Sequence, residues 1–387
     1  MSLFDLLQDF FCAMAKVVLA FDKFKGVASS HEVAQAARVA VLAAFPHVEV
    51  VALPCADGGE GTMEALSAQG ARRVEVEVSG PLPDMRVLAA YSIHGDTAVM
   101  ELASASGLAL LQPEQRDVMH ATTLGTGMLI CHAIAHGARN VVLGIGGSAS
   151  VDGGMGILHA LGFRFCDRNG RELPPCGESM ESVHAVDASR LMPEVLNTRF
   201  HIITDVDNPL LGPRGAAAVY GPQKGATPAQ VALLEAGARH FSTFMAEGIA
   251  DAPGAGAAGG VGAGLKAFLH ARLYPGADAV LRFLHAEAHI AHADLVLTGE
   301  GKMDASTSCG KLPFAVAKLA AGKGVPVVAL CGVVEGVPPE IFTEVHGINP
   351  HPIDLPRALE KSVCLQRVAK SVNQIVSKYL TISTSNQ

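Results

Sequence analysis

The chain has no tryptophan and few aromatic or charged residues, and these shortages exclude several classes of protein. Aromatic residues make up 5% of its 387 positions, and Asp, Glu, Lys and Arg together make up 17%. A disordered chain would carry more charge and fewer apolar residues than the 49% found here. The composition therefore predicts a folded α/β protein. Its length predicts two or three domains, since one hydrophobic core seldom serves so long a chain.

Positive charge is also scarce. The formal net charge of −8 and the isoelectric point of about 6.0 argue against nucleic acid or an anionic membrane as the main partner, because either would need a basic face. The longest stretch without a formal charge, residues 118–138, contains three histidines and so indicates a loop and a buried helix, not a membrane span. We expect a soluble protein with a small ligand.

Paired cysteines are missing as well. The eight cysteines are scattered singly with no C-x-x-C pair, which favours reduced thiols and a cytoplasmic location over a disulfide framework or a zinc site. The N-terminus carries Asp5 and Asp9 and lacks a basic segment, so a secretory signal is not expected. We expect residues 1–13 to be an extension that precedes the first strand-like run, Lys16 to Phe21.

Three familiar signatures are absent: the G-x-S-x-G elbow, the Gly-Lys-Ser/Thr ending of a Walker A loop, and the dinucleotide G-x-G-x-x-G with its downstream acid. Residues 144–156 instead read GIGGSASVDGGMG, after an apolar run and before a helix-like run. Such a glycine turn lets backbone N–H groups converge on a phosphate or carboxylate. Asp152 within it suggests a bridging metal ion or a proton-handling acid. A plain glycine-rich connection is the alternative.

A second glycine-rich stretch covers residues 253–265 and alternates Gly with Ala. Glycine-rich segments are commonly flexible linkers. This one lacks Ser, Glu and Lys, and its small residues could instead pack a backbone tightly against a ligand or a neighbouring helix. Both interpretations stay open at this point.

The order of elements predicts two domains. Near both chain ends, strand-like runs lead through charged or glycine-rich turns into helices, which predicts a parallel doubly wound, Rossmann- or flavodoxin-like domain of residues 14–72 and 288–387. In between, short alternating strands begin at 74–78 without helices, which predicts antiparallel pairing and an inserted mixed α/β domain of residues 73–287. We expect the active site in the cleft between the two domains.

Acidic residues follow several predicted strands, at the edge where parallel sheets bind ligands. A single acid there is usually a helix cap or a solvated turn. Five such loops with glycines and lysines indicate phosphoryl transfer, with Mg²⁺ on acids, lysine on phosphate oxygens and a carboxylate aligned with the attacking hydroxyl. The predicted catalytic residues are Asp22, Lys25, Asp57, Asp205 and Asp207. The predicted nucleotide-binding residues are Gly146, Gly147, Ser148, Asp152, Lys224, Glu300, Gly301, Asp304 and Lys311. Asp205 and Asp207 are the predicted magnesium ligands, and ordinary surface lysines are the alternative for Lys224 and Lys311.

Six blocks of the sequence, in this order, resemble the bacterial glycerate kinase family. They are AFDKFKG at 20–26, ADGGEGT at 56–62, GIGGSASVDGG at 144–154, DVDNPL at 205–210, GPQKG at 221–225 and TGEGKMD at 298–304. The chain differs from the family pattern at Lys23 and at Ser150-Val151. The resemblance spans nearly the whole chain from Met14 and implies ATP-dependent phosphorylation of glycerate, commonly at the 2-hydroxyl, with Mg²⁺, on two α/β domains.

The expected partners are therefore glycerate and ATP, with no nucleic acid and no membrane, and a homodimer stays open. Two other functions remain alternatives. One is a metal-dependent phosphatase of a small phospho-acid, and the other is a non-catalytic protein that binds a phosphorylated metabolite.

Overall fold

The computed structural model describes residues 15–56, 58–59, 61–67, 70–305, 307 and 311–383, with side chains up to 380. Contacts divide the chain into two compact units, one of residues 1–56 with 280–387 and one of residues 57–279. Both units combine helices with parallel strands, so the predicted α/β class is confirmed. The Rossmann-like two-domain arrangement with a cleft stays a prediction.

The strands and helices are numbered here in chain order. The strands are β1 (Lys16–Phe21), β2 (Glu49–Ala52), β3 (Arg72–Ser79), β4 (Arg86–His94), β5 (Thr97–Glu101), β6 (Asn140–Gly144), β7 (Arg164–Cys166), β8 (Ala185–Asp187), β9 (Arg199–Thr204), β10 (Arg272–Pro275), β11 (Leu295–Met303), β12 (Val327–Val334) and β13 (Glu344–Gly347). The helices are α1 (Ser30–Ala44), α2 (Thr62–Leu66), α3 (Ala103–Ser106), α4 (Leu124–Ala135), α5 (Met155–Ala160), α6 (Ala216–Tyr220), α7 (Pro228–Ser242), α8 (Ala257–Leu269), α9 (Gly276–Phe283), α10 (Ala286–Ile290), α11 (Leu312–Ala321), α12 (Leu355–Ala358) and α13 (Lys361–Ser383).

The first unit is built on a parallel sheet with the strand order β13-β12-β11-β1-β2. Val17 of β1 lies opposite Leu295 of β11, so strands from both chain ends share one sheet, as their common strand–turn–helix rhythm predicts. Helices α1 and α13 pack against one face, where the buried side chains of β1, β11 and β12 join theirs in one apolar cluster. Helix α11 contacts the same three strands. The spacing of Ser29 and Glu32 predicts a capping box, and the structure has it at the start of α1.

The second unit is built on a mixed sheet with the strand order β10-β9-β6-β5-β4-β3. β10, β9, β6 and β5 run parallel to one another, whereas β4 and β3 are antiparallel to their neighbours. This confirms the antiparallel pairing predicted from the alternation at 74–78. Four parallel strands end at the same edge, and the loops that follow them contain most of the predicted site residues of this unit.

β11 is longer than the sequence predicts. The apolar run Leu295 to Leu297 followed by the glycine-rich motif at 298–304 predicts a short strand and then a turn. The strand instead continues to Met303, because its backbone pairs with β12 as far as Met303 opposite Val334. Glu300 therefore lies inside a strand, opposite Cys331, and the prediction that it follows the strand is wrong.

None of the described helices combines the length and the apolar character that a membrane crossing requires. The described cysteines, at positions 55, 131, 166, 176, 331 and 364, are free thiols. Burial raises the pKa of the Cys331 thiol to about 12, which keeps that thiol protonated at neutral pH.

Candidate active site

The glycine-rich loop of residues 144–156 connects β6 to α5 at the carboxyl edge of the second sheet. Several of its backbone N–H groups bond to other parts of the chain. Those of Gly147, Ser148 and Ser150 have no acceptor among the residues that the structure describes. Ser148 and Ser150 are nevertheless buried. Buried N–H groups nearly always find an acceptor, so those of Ser148 and Ser150 make this loop a candidate site for an anionic group. Gly147 is exposed, and water can reach its N–H.

Asp152 holds the loop in shape. Its carboxylate is 0% exposed and accepts five hydrogen bonds. Oδ2 accepts from the N–H and hydroxyl of Thr123 at 2.8 and 2.7 Å and from the N–H of Gly156 at 3.3 Å. Oδ1 accepts from the hydroxyl of Ser150 at 3.3 Å and the N–H of Gly154 at 3.1 Å. Burial raises the pKa of Asp152 and these donors lower it. The acid thus organises the backbone of the loop from within.

Lys224 is buried beside the loop and is no surface lysine. It ends the short 3-10 turn Pro222–Lys224 and is 3% exposed. Its ammonium donates to the hydroxyl of Ser148 and to the carbonyl of Ser150, both at 2.6 Å. Burial lowers the pKa of Lys224 to about 7, while the charge of Asp152 acts in the opposite direction. The surface alternative for this lysine is therefore wrong.

The second glycine-rich stretch packs against the first. It forms the start of α8, where Ala258, Gly259 and Gly260 adopt left-handed backbone angles. The carbonyl of Gly259 accepts from the N–H of Gly153 at 3.0 Å. A Cβ atom on Gly259 would lie only 2.2 Å from the carbonyl oxygen of Ser150. The flexible-linker interpretation is wrong, and the tight-packing alternative is confirmed, since only glycine lets the two backbones approach so closely.

Asp205 and Asp207 lie at the same edge but not on a strand. The strand-like run from Phe200 to Val206 predicts that the two acids lie two apart at a strand end and share one face. β9 instead ends at Thr204, so this prediction is wrong. Both are exposed in the loop that follows, and Asp207 pairs with Arg214 at 3.0 Å. Burial raises the pKa of Tyr220, and the charges of both acids add to that shift. Asp205 and Asp207 therefore both lie close enough to the Tyr220 hydroxyl for their charges to raise its pKa.

Glu101 is an acid at this edge that the sequence analysis did not select. It is the last residue of β5, and its Oε1 atom accepts from the N–H of Met63 in α2 at 2.9 Å. An acid at the end of a predicted strand is the same sequence signal that marks Asp22 and Asp57.

Asp57 lies outside the described residues, but its neighbours are described. The N–H of Gly146 donates to the carbonyl of Gly58 at 3.1 Å. A Cβ atom on Gly58 would lie 2.8 Å from the carbonyl oxygen of Ile203. Gly58 and Gly59 therefore lie against the glycine loop, and Gly58 also lies against the end of β9.

The first unit gathers its own group of predicted residues at the carboxyl edge of its sheet. Asp22 follows β1 directly, and its N–H donates to the carbonyl of Gly299 at 2.9 Å. Lys25 is exposed, and a Cβ atom on Gly301 would lie 3.3 Å from the backbone nitrogen of Lys25. The turn after β1 thus lies against β11, which brings Lys25 near the Glu300 region.

Glu300 is the buried centre of this group, at 5% exposed. Its Oε1 atom accepts from the hydroxyl of Thr307 at 2.7 Å, and its Oε2 atom lies 3.2 Å from the ammonium of Lys311. The same ammonium lies 3.7 Å from Oδ1 of Asp304. Lys311 is therefore anchored by two acids and about one-third exposed, which leaves part of its ammonium accessible.

Comparison with known proteins agrees with these motifs. The glycerate kinase family model matches residues 17–377. A glycerate kinase from Halalkalibacterium halodurans is 39% identical and covers 97% of this chain and 100% of its own length. The glycerate 2-kinase of Escherichia coli is 43% identical over 82% of this chain and 85% of its own length.

A solved structure gives the same result for the fold. A crystal structure of a candidate glycerate kinase 2 from Salmonella typhimurium LT2 superposes with a TM-score of 0.84 at 38% identity, covering 96% of this chain and 100% of that one. Family model, relatives and structure all span most of the sequence. The chain therefore belongs to the glycerate kinase family.

Proposed function

We propose that this protein is an ATP-dependent kinase that phosphorylates glycerate at the 2-hydroxyl and yields 2-phosphoglycerate and ADP. The observation that supports the proposal most strongly is the family match over residues 17–377. The 2-hydroxyl is chosen because the relative from E. coli, at 43% identity, is named glycerate 2-kinase.

In this proposal the glycine loop binds phosphate oxygens of ATP. The N–H groups of Gly147, Ser148 and Ser150 are donors without an acceptor among the described residues, and phosphate oxygens are strong acceptors of such bonds. Asp152 contributes by shaping the loop, since its carboxylate is fully buried and already accepts five bonds. Gly146 contributes through its close contact with Gly58.

The group in the first unit supplies charge for the transfer. The oxygen of the glycerate hydroxyl attacks the γ-phosphorus, the bond to the β–γ bridging oxygen breaks, and the hydroxyl proton passes to a carboxylate. Lys25 and Lys311 would offset negative charge on the transferred group. Asp22, at the end of β1 and 9% exposed, is the acid of this group that we propose as the proton acceptor.

Magnesium is expected because phosphoryl transfer from ATP uses it to bridge phosphate oxygens. Among the described residues, no three His, Cys, Asp or Glu side chains form a cluster that could hold a metal ion. Mg²⁺ does not need one, because it commonly binds one or two carboxylates together with phosphates and water. The exposed acids Asp205 and Asp207 fit that mode. Asp207 would then exchange its ion pair with Arg214 for the metal.

The proposal is tested by incubating the protein with ATP, Mg²⁺ and glycerate and following ADP in a coupled assay. ADP formation that depends on glycerate is expected. Release of inorganic phosphate from phosphoglycerate without ATP would indicate the phosphatase alternative, and binding without turnover would indicate the binding-protein alternative. Asp205→Asn and Asp207→Asn should raise the Mg²⁺ concentration needed. Full activity of both variants at limiting Mg²⁺ would remove the metal role.

A further inference from the structure

The buried side chain of Lys224 donates a hydrogen bond to Ser148 of the glycine loop. The ammonium lies 2.6 Å from the Ser148 hydroxyl oxygen, although the two residues are 76 positions apart in the chain. Lys224 is 3% exposed and Ser148 is 5% exposed. The same ammonium donates to the carbonyl of Ser150 at 2.6 Å. Two of its three N–H bonds are therefore used within the loop.

We infer that Lys224 is a positioning residue that acts on the bound phosphate through Ser148, rather than by contacting the phosphate itself. The inference rests on the proposed kinase function. It concerns the route by which the positive charge of Lys224 stabilises the bound phosphate.

The geometry favours the indirect route. The protonated Lys224 side chain donates to the Ser148 oxygen, so in this protonation state the hydroxyl hydrogen points away from Lys224 and is available to a ligand. A hydroxyl that accepts from an ammonium is polarised and becomes a stronger donor. Ser148 also carries one of the backbone N–H groups without an acceptor among the described residues. Both donors of this residue are thus available to an anion.

Ser150 explains why the ammonium stays in place. Its carbonyl accepts from Lys224 while its hydroxyl donates to Oδ1 of Asp152 at 3.3 Å. The opposite charges of Lys224 and Asp152 therefore hold the same residue from two sides. Helix α8 fills the remaining side, because Gly259 lies directly against the Ser150 carbonyl. The ammonium is built into the loop and cannot move out to a ligand without breaking these contacts.

A double-mutant cycle distinguishes the indirect route from direct contact. Ser148→Ala and Lys224→Gln should each raise the Kd for ATP about 10- to 100-fold, the range for the loss of a hydrogen bond to a charged group. If Lys224 acts through Ser148, the double variant should bind ATP within about threefold of Ser148→Ala alone, because without the Ser148 hydroxyl the lysine has no route to the phosphate. The measurements are Kd for ATP by titration calorimetry and KM for ATP and kcat with glycerate.

Comparing the changes in KM and in kcat distinguishes a positioning role of Lys224 from damage to the fold. A misfolded fraction lowers kcat and leaves KM unchanged, whereas the positioning role raises KM for ATP. Lys323→Gln, which removes a lysine far along the chain that pairs with Glu287, is the matched control and should keep wild-type KM. If Lys224→Gln fails to fold, Ser148→Ala alone still tests the inference, since an unchanged Kd for ATP would overturn it.

If the fold-increases in Kd for ATP of the two single variants multiply in the double variant, the inference is also overturned, because Lys224 would then contact the nucleotide independently of Ser148. If the wild-type protein binds ATP and phosphorylates glycerate but the fold-increases in Kd multiply in the double variant, only this inference is overturned. A wild-type protein that binds no ATP would overturn both the inference and the proposed function.

Discussion

The ammonium of Lys311 lies 3.2 Å from the Oε2 atom of Glu300, and the two residues differ sharply in exposure. The Glu300 side chain is 6% exposed and that of Lys311 is 37% exposed. Removing the lysine would leave a buried carboxylate without its countercharge, whereas neutralising the acid would leave a lysine that water can still reach.

Lys311→Met should therefore lower the free energy of unfolding more than Glu300→Gln does. Urea denaturation of both variants measures the difference. Thr307 can still donate to the amide oxygen of Gln at position 300, which further limits the cost of that change. The reverse order of stabilities would contradict the assigned geometry. Lys302→Met, which removes a more exposed ion pair with Glu335, is the control and should have a smaller effect than either.

Lys25→Met should reduce kcat about 10²–10³-fold, by analogy with the loss of a preorganised donor to a developing charge. Its effect on KM for ATP should be smaller, because only the part of an interaction that is gained in the transition state accelerates the reaction. Steady-state kinetics with varied ATP and glycerate measure both. An unchanged kcat would remove Lys25 from the catalytic residues, and the exposed Lys323 again provides a control position.

Gly259→Ala should destabilise the protein and weaken ATP binding together. A Cβ at this position would meet the Ser150 carbonyl at 2.2 Å, in addition to the strain of φ +71°. Gly170 is the matched control, since it has φ +77° and a Cβ added there would have no atom within 4 Å. Gly170→Ala should therefore cost only the conformational strain, about 1 kcal/mol. Equal melting temperatures for the two variants would contradict the close packing of α8 against the loop.

His120 should make stability depend on pH. Its hydrogen bond to Asp117 is the largest cause that raises the pKa of His120 above 6.5, and the charge of Glu178 adds to the shift. A pKa raised in the folded state gives stability that is fully present below the unfolded pKa, about 6.5, and lost as pH rises through the folded pKa. His120→Gln should thus be less stable than wild type at about pH 5.5, with a smaller difference at about pH 8.

Denaturant midpoints at the two pH values check this prediction, and an NMR titration of the His120 ring reports its pKa directly. The effect should be small, because the side chain is about half exposed and water screens its charges. His94→Gln, at an exposed histidine of β4, is the control. A midpoint difference that grows with pH would have the wrong sign for the proposed cause.

Local patterns in the sequence predicted much of the fold. β1 spans the residues expected from its apolar run, Lys16–Phe21. Thr227-Pro228 predicts a helix start, because Thr is a good cap and Pro fits the first helical position, and the Thr227 side chain does cap α7. Such signals depend on neighbours within a few residues, and a sequence displays them directly.

The candidate site was only partly predictable, since its decisive contacts join distant residues. Nothing near Lys224 in the sequence indicates that it is buried against Ser148. Asp152 resembles an acid that faces a ligand until its bonds to Thr123 are seen. β11 ran past its predicted end because of pairing with β12, which local propensity cannot reveal.

The most direct test of the account is a phosphorus NMR spectrum of the product formed from ATP, Mg²⁺ and glycerate. The account predicts equal amounts of ADP and 2-phosphoglycerate, with both absent when either substrate is omitted. A 3-phosphoglycerate signal would contradict the proposed site of phosphorylation. A spectrum in which ATP and glycerate remain unchanged would contradict the proposed kinase function itself.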